Sequence, residues 1–143
     1  MLRALLGIRF ALISGVACGL LHPQLSSAQE REEYVTTGEV TTILQDPLFA
    51  IEGKEASISL TEFPPGWIGG RHYHTGDVFV YVLEGIFIVD VDGEERQTFR
   101  RGEVYHEALN RVMQARNFST TEPTKILVFQ VGDKGEPRMI KAR

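Results

Sequence analysis

A chain of 143 residues with 19 acidic and 15 basic side chains, formal charge −4, is long enough for one domain and too acidic for a nucleic-acid or anionic-membrane partner. Its one cysteine, Cys18, rules out an internal disulfide, so the fold must rest on its core. The amino terminus has the order of a secretory signal peptide. Met1 to Phe10 carries Arg3 and Arg9 and no acid, Ala11 to Leu21 is apolar but short for a membrane span, and Ser26-Ser27-Ala28 offers small residues for cleavage. Cleavage after Ala28 leaves 115 of the 143 residues, with 13 basic against 19 acidic groups and a charge of −6. The expectation is an exported protein, periplasmic or secreted, free of the membrane after cleavage. An uncleaved anchor and lipid attachment at Cys18 are the alternatives.

Residues 29–38 form a polar lead-in, and the run Gln29 to Glu33 within it predicts disorder. From there the text is β-like. Val40 to Leu44 reads as a strand, and Ala56 to Thr61 alternates small polar with apolar residues, the pattern of a half-buried strand. Phe63-Pro64-Pro65-Gly66 breaks the chain before His72-Tyr73-His74. Val78 to Leu83 is apolar at every position, which predicts a strand covered on both sides. Ile86 to Val89 follows, and Asp92-Gly93 marks a hairpin. Val104 to Glu107 and Val112 to Ala115 flank a turn at Leu109-Asn110, and Lys125 to Val131 is the last strong strand. Residues 134–143 form a charged tail that could dock through Met139 and Ile140. The sum is an all-β single domain of about eight to ten strands over residues 39–133, a sandwich or small barrel.

His72 and His74, two apart on a strand, point to the same side and present two imidazoles to one point. Their setting is Gly66, five residues, His72-Tyr73-His74, three residues, Val78, six residues, Gly85. This resembles the first motif of the cupin superfamily, with valine where that motif has a metal-binding glutamate. The second motif is matched at Gly102 and Asn117; Ala108 and Asn110 stand for its proline and second glycine, and Met113 for its metal histidine. The resemblance covers residues 40 to 135 and implies a cupin-type jelly-roll β-barrel in which His72, His74 and Met113 converge, with Val78 and Met113 lining the interior.

Two histidines alone make a weak metal site, so the further ligands matter. Met113 would supply a soft thioether, which with two imidazoles suits copper. His106 and Glu107 are neighbours on one strand, so one of them faces inward and could replace the missing donor. Asp77 could reach the site through a bulge. The expected metal is a divalent transition ion (copper, zinc, iron, manganese or nickel), and a barrel with no metal is the other expectation. Arg71, Trp67 and Arg116 are weaker candidates for contacting a small-molecule ligand. Three functions stay open: binding of a small molecule and/or a metal through His72 and His74; a metal-dependent cupin enzyme of dioxygenase or isomerase type; and a non-catalytic structural module. A homodimer is expected from the superfamily's habit of pairing barrels.

Overall fold

The computed structural model describes residues 31–107 and 109–143; the signal-peptide reading of residues 1–28 lies outside them. The described chain contains ten strands and no helix: β1 (Glu39–Pro47), β2 (Lys54–Phe63), β3 (His72–His74), β4 (Asp77–Glu84), β5 (Ile86–Val91), β6 (Gln97–Arg100), β7 (Val104–Glu107), β8 (Met113–Arg116), β9 (Thr124–Asp133) and β10 (Met139–Lys141). They form two five-stranded antiparallel sheets, ordered β1-β2-β9-β4-β7 and β10-β3-β8-β5-β6. The sheets face each other as a jelly-roll barrel.

Local chemistry sets the corners. Gly85 joins β4 to β5 at φ 75°, and a Cβ there would stand 2.6 Å from the Pro123 carbonyl oxygen, so only glycine serves. Asn110 takes the left-handed conformation at φ 57°. Asparagine tolerates that region better than other side chains, which is why it can stand where a glycine is expected.

The core lies between the sheets. Val78, Val80 and Val82 of β4 are 0–1 % exposed, and they pack with Phe87, Val89 and Val91 of β5, Met113 and Ala115 of β8, and Ile126 of β9. Each fully buried valine stabilises the fold by about 1.5–3 kcal/mol. The other side of β4 departs from expectation: Phe79 and Tyr81 are 38 % and 42 % exposed, because within one chain only the inner face of the sheet is covered. Phe79 instead stacks on His106 at 4.3 Å and leans on Phe129 of β9.

One expectation about the margins is corrected, and the docking of the tail through Met139 and Ile140 is found as expected. The lead-in is pinned from residue 32 on: Glu33 bridges Ile140, Tyr34 N donates to Met139 O at 3.0 Å, and Lys141 N donates to Glu32 O at 2.8 Å. The tail is a sheet member, since β10 pairs with β3 and Ile140 is buried. Segments far apart in sequence thus supply each other's backbone partners, a pairing that local polarity does not reveal.

Candidate functional site

Residues from both sheets and from the segment before β1 line a partly open cavity of about 230 Å³. Register defines its floor. Ser57, Gln130, Val78 and Glu107 lie side by side across β2, β9, β4 and β7, and the next row is Ser59, Val128, Val80 and Tyr105. The first of these rows carries most of the polar groups; β3 of the facing sheet brings His72 and His74 over it.

The two histidines are each 5 % exposed, with ring centroids 5.1 Å apart and nearly perpendicular planes. His74 Nε2 lies 2.7 Å from Glu107 Oε2, a buried contact that ties the two sheets together, while His74 Nδ1 has no hydrogen-bond partner. His72 Nδ1 lies 2.9 Å from the Gly70 carbonyl. A carbonyl only accepts, so Nδ1 carries the proton and the neutral ring keeps its lone pair on Nε2. Burial above all holds the His72 imidazole below its ordinary value of 6.5, with His74 adding to the effect; the Gly70 hydrogen bond and Glu107 oppose it. Neutral His72 is therefore the form present at neutral pH.

Tyr34 completes this end. Its ring stacks on His72 at 4.5 Å, and its hydroxyl accepts a hydrogen bond from Gly70 N at 2.7 Å. A Cβ on Gly70 would stand 2.7 Å from the Tyr34 ring, so glycine there makes room for the stacked tyrosine. Trp67 lies at the opposite end of the cavity, stacked on Phe63 at 4.0 Å and donating through Nε1 to Thr37 Oγ1 at 2.9 Å.

The remaining candidates divide clearly. Glu107 faces inward and Val78 lines the cavity as expected. His106 alternates with Glu107 and lies on the outer face, where its Nε2 is 3.4 Å from Asp77 Oδ1; neither reaches the histidine pair. No bulge re-aims Asp77, because β4 pairs regularly with both neighbours at its start. Met113 sits opposite His72 in register but is packed into the core and is not on the cavity wall, its flexible apolar chain filling the space between the sheets. Arg71 pairs with Asp92, and Arg116 pairs with Asp90 at 2.6 Å, so both guanidiniums are spent away from the cavity. Sequence reasoning missed Tyr34, Ser57, Ser59, Thr61 and Gln130, all on the wall. The alternation of Ala56 to Thr61 was the available signal for three of them.

The inventory of His72, His74 and Glu107 is that of a two-histidine, one-carboxylate metal site, yet the arrangement does not fit one. Among the described residues no three His, Cys, Asp or Glu side chains are disposed to hold an ion. His74 and Glu107 instead meet each other directly, and His74 Nδ1 lacks the outer partner that orients a ligating imidazole. What the arrangement offers is a small, mostly apolar chamber with a buried carboxylate, a neutral imidazole and a row of hydroxyls.

The family profile described as Cupin domain matches residues 59–130. No curated protein matches the sequence significantly. Among solved structures, the DMSP lyase DddQ from Ruegeria pomeroyi superposes with a TM-score of 0.61 at 14 % identity, covering 73 % of this chain and 51 % of that one. An RmlC-like cupin family protein with a double-stranded β-helix fold from Methanocaldococcus jannaschii gives 0.56 at 15 %, over 69 % of this chain and 84 % of its own. A Cupin 2 conserved barrel domain protein from Salinispora arenicola gives 0.54 at 18 %, over 72 % and 82 %. At such identities the likeness is one of fold.

Proposed function

The chain belongs to the cupin domain family, and we propose that its barrel binds a small organic molecule, oriented at one end by His72, His74 and Glu107. One observation carries this: buried polar side chains from both sheets project into a mostly apolar, partly open chamber of about 230 Å³. Buried polar groups in folded proteins find partners, and a chamber with few convergent polar groups among apolar walls is the common form of a ligand site. A cavity of about 230 Å³ lies below the usual range of ligand pockets, about 300–1,000 Å³, which limits the ligand to a compact molecule. An NMR titration of the isotopically labelled barrel with cyclohexanol tests the reading. Saturable shifts confined to amides of β2, β3, β4, β7 and β9 are expected; their absence for this and other compact ring compounds overturns it.

A second reading, proton transfer on the bound molecule, is favoured by His72. Its neutral ring, fixed by Gly70 and Tyr34, can accept a proton at Nε2. Deuterium exchange into the α-carbons of cyclohexanone in heavy water reads this. The protein should accelerate exchange and His72→Gln should not; equal rates for both remove the enzymatic reading.

Export remains part of the proposal, supported by the order of residues 1–28. Amino-terminal sequencing of the protein recovered from outside the cytoplasm should give Gln29 first. Self-pairing is supported by the half-exposed apolar outer face around Phe79, Tyr81 and Phe129, and a sedimentation mass of one chain would dismiss it.

A further inference from the structure

The amphipathic pattern of β2 is turned inside out. Ser57, Ser59 and Thr61 point into the barrel and are 5–7 % exposed, while Ile58 and Leu60 between them face outward. All three hydroxyls border the cavity, and none has a hydrogen-bond partner among the described residues. Their oxygens face the cavity space, so the contents of the cavity supply their hydrogen bonds, and three such hydroxyls recur in register on one strand. From this we infer that the cavity's occupant is uncharged and carries oxygen substituents along one edge, read by Ser57, Ser59 and Thr61.

Spacing and neighbours sharpen the class. Alternate residues of a strand are about 6.6 Å apart, so the hydroxyls offer contact points along roughly 13 Å. Beside Ser59 and Thr61 in register stand Val128 and Ile126, and beyond them Val80 and Val82. The chamber is thus polar along the β2 side and, beyond the Gln130 row, hydrocarbon along β9 and β4. Charge is disfavoured by what it would lose. A carboxylate in the chamber would face the buried carboxylate of Glu107, and an ammonium beside the valines of β4 and β9 would shed its hydration with little but Glu107, already engaged by His74 at 2.7 Å, to replace it. A serine or threonine hydroxyl donates and accepts, so alcohol and carbonyl oxygens are both read. The expected ligand is a small alcohol, ketone or lactone with two oxygens on one side.

The inference rests on the cavity-binding reading, and one set of NMR titrations separates their failures. The probes are cis-1,3-cyclohexanediol, cyclohexanol, cyclohexanecarboxylate and cyclohexylammonium, each with wild type, Ser59→Ala and the shape-preserving Thr61→Val. Wild type should bind the diol more tightly than cyclohexanol and leave the two ions unbound. Each substitution should weaken the diol about three- to tenfold, the value of one lost hydrogen bond, and narrow its advantage over cyclohexanol. Unchanged melting temperatures show that the variants remain folded. Diol affinity equal in all three proteins, or a preference for either ion, overturns the inference while cavity binding stands. Wild type that binds none of the four overturns both.

Discussion

The two ends of the barrel interior treat polar atoms in opposite ways. Around Trp67 and Phe63 the loops are held by buried polar groups that the chain itself satisfies. Asn117, 1 % exposed, donates through Nδ2 to the carbonyls of Phe63, Pro64 and Glu122 at 2.8–3.2 Å and accepts from Ser119 N at 3.0 Å. Thr124 donates to Ile86 O at 2.9 Å. Around His72 and Glu107, by contrast, His74 Nδ1 has no partner, and the hydroxyls of Ser57 and Ser59 face the cavity. A polar atom answered from within holds loops together, and one left unanswered marks where something else is expected to bind. The first end is built for stability and the second for recognition.

Substitutions can break this contrast. The largest effect is expected from Asn117→Ala, which strips the donor from three carbonyls and should lower unfolding free energy by roughly 2–4 kcal/mol in urea denaturation. Wild-type stability in that variant would erase the distinction between the ends. At the other end Glu107→Gln keeps shape and hydrogen-bonding capacity, so stability should move by only about 1 kcal/mol while ligand affinity falls about tenfold. A reversed order, with the fold lost and binding intact, would show that Glu107 is structural.

The pH dependence of stability gives a smaller signal. The folded-state value of His72 lies below its unfolded value, so the unfolded chain binds more protons between the two. Stability should be full above about pH 6.5 and decline as pH falls through that window; His72→Gln should flatten the decline, and an unchanged slope would refute the assignment. Asp90, lowered chiefly by its hydrogen bond with Arg96, acts below its ordinary 3.8 and stays clear of this window. Elemental analysis of untagged protein should find far less than one transition metal per chain; a full equivalent would show that His74 and Glu107 part to admit an ion. Least of all should Arg71→Ala matter, since its pair with Asp92 is exposed: a change within about 0.5 kcal/mol in urea denaturation and an unaltered diol affinity.

Fold and site differ in how much of them local sequence reveals. The Asp92-Gly93 hairpin, the glycines at 66, 85 and 102 and the valines of β4 announce themselves, because turn conformation and strand burial are local properties. The same holds for the histidine pair, whose shared direction follows from period two. What stays hidden depends on register. Alternation shows that His106 and Glu107 part company, but which faces inward is decided by pairing with β4. On β2 the apolar residues suggest the core side, yet the outer face of that sheet is itself apolar, through Phe79, Phe129 and Tyr81, so Ile58 and Leu60 belong outside. Tyr34 reaches His72 only because residues near the two ends of the described chain pair with each other, and no window of neighbouring residues contains that fact.

Trp67 is the chain's only tryptophan, and it forms part of the chamber wall. The protein therefore carries an intrinsic optical reporter of whether the chamber is filled. A guest that displaces water from beside the indole should shift its emission, which makes label-free screening of compound collections practical.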